Sequence, residues 1–279
     1  QSLENARLFN QTERLLNRME SEMMIARQTQ RSILPLRAPR HEGYDFGSLI
    51  TPARSVGGDF YDAFLLPDGK LTFLVADVCG KGIGAALYMT LFRSLIHAAS
   101  TSDQFSFEKK LGSFTPSERL RHAVSLTNNY VAEAHETANM FSTVFIGILE
   151  PESGKLTYIN GGNAAPLIVG KDGTILGELA PSSPVMGVIP QAEYAVNELT
   201  LGKAEMLVAF TDGIPDTQNS NGDFFGDDRI RNLLSVHDSP AALLAGFESS
   251  LNEFIGTTEQ FDDITLFAIK RDQQMPDAL

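Results

Sequence analysis

Cysteine is almost absent from this chain: Cys79 is the single one in 279 residues, so no disulfide can form within it. That count fits a reducing compartment, and the expected location is cytoplasmic. Cys79 lies in a glycine-rich turn with no histidine beside it, which reads as a small buried residue rather than a nucleophile. Long apolar runs are missing as well. None approaches the ~20 residues needed to cross a bilayer, so no membrane association is expected. Positive charge is also in short supply, with 22 Lys and Arg against 35 Asp and Glu and a net charge of -13. Such a balance lacks the electrostatic footprint that holds nucleic acid or an anionic membrane. A polar helical pattern stands where a signal peptide would, and the first residue is Gln1 rather than Met. The chain is therefore expected to be a piece of a longer one.

What is present is ordinary globular material, 43% hydrophobic and 20% charged, enough for a sizeable core. Residues 2–34 contain neither Gly nor Pro and are rich in Glu, Arg, Gln, Leu and Met. Phe9, Thr12, Leu16, Met19, Met23, Ala26, Gln30 and Ile33 recur at alternating steps of three and four, and Leu8 and Leu15 widen the stripe. Pro35 and Pro39 end the pattern. The spacing predicts a helical linker over 1–36 that pairs as a coiled coil, giving a homodimer. The competing reading is one amphipathic helix packed on its own domain.

Beyond residue 40 the pattern changes to short apolar runs bounded by turns. Strands are expected at 44–50, 60–66, 71–76, 141–150, 156–160, 167–169, 174–179, 194–199, 206–210 and 264–270. Helices are expected at 83–100, 116–136, from Arg229, and at 240–255, with a polar connection at 102–113. Strands pair locally in hairpins instead of alternating with helices, which predicts an α+β fold of layered antiparallel sheets. The expected organisation is one domain over 41–270, followed by a disordered tail at 271–279.

Aspartates stand at the ends of several of these runs: Asp59 after Gly57-Gly58, Asp77 before Val78-Cys79-Gly80-Lys81-Gly82, Asp212 before Gly213, and the pair Asp262-Asp263. A carboxylate at the end of a buried strand is costly to desolvate without a cation or a donor nearby. Several of them brought together make a site for hard divalent cations, Mg2+ or Mn2+, rather than zinc. Two such ions can activate a water for in-line attack on phosphorus, and such chemistry requires no Ser or Cys nucleophile. Asp68-Gly69 and Asp172-Gly173 read as plain turns.

In order along the chain stand Val56-Gly57-Gly58-Asp59-Phe60-Tyr61-Asp62, Ala76-Asp77-Val78-Cys79-Gly80-Lys81-Gly82, Met140-Phe141-Ser142-Thr143, Tyr158-Ile159-Asn160-Gly161-Gly162, Phe210-Thr211-Asp212-Gly213-Ile214, Phe225-Gly226 and Asp262-Asp263-Ile264-Thr265-Leu266. This series resembles the PPM (PP2C-like) serine/threonine phosphatases of the bacterial SpoIIE/RsbU branch, over about residues 22–270. Ile25-Ala26-Arg27-Gln28 through Leu34-Pro35 is similar to the helical lead-in that such phosphatases carry after a sensor domain. The resemblance implies a β-sandwich flanked by helices and two divalent ions. It implies that Asp59 and Asp77 are the catalytic metal ligands, with Asp77 bridging and the carbonyl of Val78 adding a ligand. Asp212 and Asp262 would complete one shell, and Asp263 would orient Asp262 or bind a further ion. Gly80 and Lys81 lie beside this cluster, as candidates to meet substrate phosphate. Asn163 stands where the family commonly has His; its amide can still hydrogen-bond, so it is a third candidate for substrate binding, but acid catalysis at that position is not carried over.

The same resemblance implies a phosphorylated STAS-type anti-anti-sigma protein as substrate, in partner-switching stress signalling, and an upstream sensor domain on the same longer chain. Because the seam of the N-terminal helix reaches almost to the catalytic body, repacking of that helix is expected to move the helix after Asp77 and set metal occupancy. The alternative is a catalytically silent phosphatase-like module that binds a phosphoprotein. A diguanylate cyclase reading of Gly57-Gly58-Asp59-Phe60 fails because the second acidic residue is absent, and Gly80-Lys81-Gly82 lacks P-loop spacing.

Overall fold

A computed structural model describes residues 2–35, 39–102 and 114–273. Its elements in order are α1 (Ser2–Ile33), β1 (Tyr44–Thr51), β2 (Phe60–Leu65), β3 (Leu71–Val78), α2 (Ile83–Thr101), α3 (Pro116–Ala134), β4 (Ser142–Glu150), β5 (Lys155–Gly161), β6 (Leu167–Val169), β7 (Ile175–Glu178), β8 (Asn197–Thr200), β9 (Met206–Phe210), α4 (Gly226–Val236), α5 (Pro240–Ile255) and β10 (Ile264–Arg271). One sheet has the order β1-β10-β9-β6-β7, the other β2-β3-β4-β5-β8, and every pairing between named strands is antiparallel. The layered α+β reading therefore holds.

Three apolar clusters correspond to three interfaces. Phe60, Leu74, Ala76 and Val78 pack under α2 and α3 with Met89, Phe92, Leu120 and Val124. Tyr61, Phe73, Val75, Phe145, Leu207, Ala209, Phe267 and Ile269 fill the space between the sheets. Val208, Phe210, Leu266 and Ala268 pack against Ile230, Leu243 and Phe247 of α4 and α5. Alternate residues of each central strand thus enter different interfaces, as a period of two dictates. Because both faces are covered, these strands read as continuous apolar runs. The ring centroids of Tyr61 and Phe73 lie 5.8 and 5.7 Å from that of Phe267, so aromatic packing joins the two sheets.

Local chemistry sets the helix starts. Thr115 and Glu118 form a reciprocal capping box ahead of α3, with Pro116 in the first turn. Ser239 caps α5 by accepting from the Ala242 N–H.

Several expectations are corrected. The strand expected at 194–199 begins later, as β8 at Asn197, and Tyr194 ahead of it is buried in the core under the helices. The tail does not begin at Arg271, which is buried at the end of β10. Its guanidinium donates to the carbonyls of Ser153, Leu201 and Glu152, at 3.0, 2.9 and 3.0 Å, so its charge is absorbed by backbone. The remainder of the tail from 274, and the connection over 103–113, lie outside the described residues.

Helix α1 is exposed over most of its length, with Leu8, Phe9, Leu15, Leu16 and Met19 open to solvent. Gln30, expected in the same stripe, is instead 7% exposed and turned into the body of the protein. No helix among the described residues is long and apolar enough to cross a membrane.

Candidate metal centre

Strand parity explains where the acidic side chains meet. On β3, Leu71, Phe73 and Val75 point between the sheets, so Asp77 points the same way at the strand's end. On β2, Tyr61 and Ala63 face that gap, and Asp59, two residues before Tyr61, shares their side. The antiparallel register sets Phe60 against Ala76, so the next pair outward is Asp59 with Asp77. Thr211 and Asp263 take the same inward parity from Ala209 on β9 and from Phe267 on β10. The gap between the sheets is filled by aromatic and aliphatic side chains until, at this end, acidic ones replace them.

Asp59 is 3% exposed. Burial, followed by the charge of Asp77, pushes its carboxyl well above the usual range, against the hydrogen bond that Thr211 donates to its Oδ2 at 2.7 Å. Asp77 is raised to about 6, mainly by burial, and the charges of Asp212, Asp262 and Asp263 raise it further. Asp212 is raised by burial, then by Asp262 and Asp216. These aspartates therefore feel one another's charge across strands from both sheets. Among the described residues, no three acidic, imidazole or thiol groups converge closely enough to enclose an ion as they stand. The donor set nonetheless fits a hard cation, because it is all oxygen and its mutual repulsion is what a divalent charge relieves.

Backbone is packed tightly here. A Cβ on Gly58 would lie 2.6 Å from the carbonyl oxygen of Val78, so the loop before Asp59 rests directly on the carbonyl named as a candidate ligand. A Cβ on Gly213 would overlap the carbonyl of Asp263, which brings the turn after Asp212 against the start of β10.

The remaining candidates take different places. Asp263 is 5% exposed and its oxygens accept from backbone: Oδ1 from the Ala53 N–H at 2.7 Å, Oδ2 from the Gly58 N–H at 2.7 Å and, more weakly, from the Asp59 N–H at 3.4 Å. In this arrangement it is a clamp on the loop that carries Asp59. Its own N–H donates to Asp262 Oδ1 at 2.9 Å. Asn163 is 1% exposed. Its amide donates to the carbonyls of Phe210 and Ala164 at 3.0 and 2.8 Å, which pins the end of β9 and leaves that amide inside the scaffold rather than at a substrate surface. Lys81 Nζ rests 3.1 Å from Asp262 Oδ2, donates to the Phe261 carbonyl at 2.5 Å, and lies 3.7 Å above the Phe261 ring. Gly80 adopts φ +89° with open space around it. Cys79 is half-buried, and its Sγ accepts from the Phe141 N–H at 3.3 Å.

Two participants carried no role in the sequence reading. Thr211 was visible only as part of a motif, yet its hydroxyl is the neutral donor to Asp59 and also accepts from the Thr265 N–H at 3.1 Å. Gln30 looked like a polar fault in an apolar stripe. That fault was the available signal.

Two helix-flanked antiparallel sheets, with a carboxylate cluster at one end of the gap between them, define the PP2C-like class of phosphatase domain. The family model for Stage II sporulation protein E (SpoIIE) matches residues 67–272, more than half of the chain. The chain belongs to that family of PP2C-like serine/threonine phosphatase domains. It is 35% identical over 275 residues to protein IcfG of Synechocystis sp., covering 92% of this chain and 42% of IcfG. It is 26% identical over 255 residues to the phosphoserine phosphatase RsbU of Bacillus subtilis, covering 91% of this chain and 71% of RsbU. Among solved structures, the SiaA-PP2C domain of Pseudomonas aeruginosa superposes with a TM-score of 0.74 at 23% identity, over 92% of this chain and 99% of that one. The chain thus spans less than half the length of IcfG.

Proposed function

We propose that this chain is a divalent-cation-dependent protein phosphatase that hydrolyses phosphoserine or phosphothreonine. The observation that carries the reading is the facing pair of a buried Asp59 and a partly buried Asp77, the first feeling the charges of Asp77 and Asp263 and the second those of Asp212, Asp262 and Asp263, with no basic side chain among the causes of their shifts. A buried cluster of like charge is unstable unless it keeps protons or takes up cations. Asp59, Asp77, Asp212, Asp262 and the carbonyl of Val78 would hold Mn2+ or Mg2+, two ions in our reading. When bound, such ions activate water and neutralise charge on phosphate oxygens.

The protein's own groups have distinct tasks in this reading. Thr211 holds Asp59 in one rotamer by donating to Oδ2, leaving Oδ1 for a ligand. Asp263 fixes the backbone of Gly58 and Asp59, and so the direction from which Asp59 approaches. Lys81, at the rim beside Asp262, supplies a cation for the phosphate of an incoming substrate.

The proposed substrate is a phosphorylated STAS-type regulatory protein, and the setting is partner-switching signalling. The resemblance of the motif series supports this. We further propose that the exposed stripe Leu8, Phe9, Leu15, Leu16 and Met19 pairs α1 with a second copy, below a sensor domain on a longer chain. The silent-module alternative keeps phosphoprotein binding and drops turnover. The test is hydrolysis of p-nitrophenyl phosphate and of a phosphorylated STAS protein, with and without Mn2+. Manganese-dependent release of phosphate, lost in Asp77→Asn, supports the phosphatase reading. Binding of the phosphoprotein with no turnover in Mn2+ or Mg2+ would replace it with the silent module.

A further inference from the structure

Gln30 is the one buried side chain among the described residues of α1, whose other described side chains are exposed or, at Met23, Ala26 and Ile33, half-buried. Its amide makes two opposite hydrogen bonds to a single residue 27 positions away. Nε2 donates to the Gly57 carbonyl at 2.6 Å, and the Gly57 N–H donates to Oε1 at 3.1 Å. A primary amide meeting both polar groups of one residue fixes the peptide planes on either side of it, as a strand partner would. The next two residues along are Gly58 and Asp59, whose N–H groups are held from the opposite side by Asp263. Gly57 cannot take a Cβ, because one would overlap the Asp263 carboxylate. The loop is therefore gripped between one amide from α1 and one carboxylate from the start of β10. A cavity of about 40 Å³ runs along the same junction, lined by Arg27, Gln30, Gly57, Asp59 and Asp263, so α1 abuts the metal-ligand candidate itself.

We infer that Gln30 is a positioning residue for the metal centre: its clasp on Gly57 sets where Asp59 stands and thereby sets the affinity for the divalent cation. The inference rests on the proposed reading of Asp59 as a metal ligand. Gln30 touches neither substrate nor cation; it acts through Gly57. Neither a packing role nor a seam role predicts this coupling. A seam glutamine faces a second helix, and a packing residue supports the fold without regard to ligand.

The experiment uses the full chain and follows free Mn2+ by electron paramagnetic resonance during titration, with thermal melting of the metal-free protein beside it. Gln30→Ala removes both bonds. Gln30→Glu keeps the size and the acceptor but, when ionised, cannot donate to the Gly57 carbonyl. Both are expected to weaken Mn2+ binding tenfold or more, while turnover of p-nitrophenyl phosphate at saturating Mn2+ returns to within about threefold of the parent. Glu20→Ala, on the exposed face of α1, is expected to leave the titration unchanged. If the Gln30 variants melt lower but bind Mn2+ within twofold of the parent, Gln30 only packs and the inference is overturned. In that outcome, loss of binding in Asp77→Asn would leave the metal reading itself standing. If the parent chain takes up no Mn2+, both fall together.

Discussion

Strand β2 and its approach carry two buried aspartates three residues apart, and they are treated in opposite ways. Asp62 is 1% exposed and faces α2, where Arg93 Nη2 lies 3.0 Å and His97 Nδ1 2.9 Å from its Oδ2. Asp59, about as deeply buried, faces the gap between the sheets, where it meets a neutral hydroxyl and a second carboxylate. Desolvating a carboxylate costs several kcal/mol. At Asp62 a cation of the protein offsets that cost, and the residue fastens β2 to α2. At Asp59 no cation among the described residues does so; only the Thr211 hydroxyl works against the cost, and the neighbouring Asp77 adds to it. The difference separates a structural carboxylate from one held ready for a ligand: burial is common to both, and the partner decides.

The sharpest way to break the comparison is to neutralise each side. Asp77→Asn is expected to lower metal-dependent phosphate release on the order of 10³-fold, the loss typical of a charge-stabilising group in an active site. The same substitution is expected to raise the melting temperature of the metal-free protein, because it removes a carboxylate whose ionisation the fold opposes. Calorimetry in chelator measures the second effect, and a lower melting temperature would mean the acidic groups do not repel as described. Asp62→Ala should behave in reverse. It leaves the Arg93 guanidinium, largely but not wholly covered, without its partner, so urea denaturation should show a loss of up to about 3 kcal/mol. Its Mn2+ midpoint should stay where it was. A shifted midpoint would join the two aspartates into one network and erase the contrast.

A smaller effect follows from pH. Asp77, raised to about 6, binds its proton more tightly in the native state than in the unfolded chain. Its contribution to stability is therefore fully present below the ordinary carboxylate range and is lost as pH rises through about 6. Asp59 and Asp212 shift in the same direction. The metal-free protein should lose about 2 kcal/mol between pH 4.5 and 7, while Mn2+ affinity rises over the same interval as the cation displaces those protons. Melts with and without Mn2+ across that range check the sign. Metal-free stability that increases toward pH 7 would contradict it.

Much of this arrangement was legible in the sequence because it rests on period two. Apolar runs such as Leu71 to Ala76 end in an acidic residue, and a strand end is where a side chain escapes the core. Asp59, Asp77, Asp212 and Asp262 were found that way. Parity was the information missing for Asp263: adjacent residues point to opposite faces, so Asp263 turns inward to the loop while Asp262 meets Lys81 at the rim. Gln30 was misplaced because a heptad pattern describes the spacing along α1 and carries nothing about where the domain's body begins to cover it. Arg271 read as tail because a charged residue after a strand usually is. Here it lies opposite Tyr44 in the sheet and finds three carbonyls at the β4–β5 turn and before β9, partners that no local window contains. Asn163 likewise bonds across to Phe210, 47 residues away. What local sequence missed was contact across the sandwich.

Lys81 gives the smallest expected effect and the finest test of the contrast, because it is a cation at the rim of a cluster whose Asp59 and Asp77 pair with no basic side chain among the described residues. Its pair with Asp262 is partly open to water, with side chains 25% and 34% exposed, so it is screened and worth at most about 1 kcal/mol. That energy must be given up when a divalent ion claims the Asp262 carboxylate. Lys81→Met keeps the stem over the Phe261 ring and removes the charge. It should tighten Mn2+ binding by up to about fivefold at low salt, and the gain should shrink at 0.5 M salt as screening takes over. If Lys81 also receives the substrate phosphate, the variant's KM for a phosphopeptide should rise while its Mn2+ midpoint falls. Two opposite shifts from one residue would mark a side chain that leaves a carboxylate for a phosphate as the centre fills. An unchanged Mn2+ midpoint at both salt concentrations would show that Lys81 is bound chiefly to the Phe261 carbonyl, and that Asp262 is as free of internal cations as Asp59.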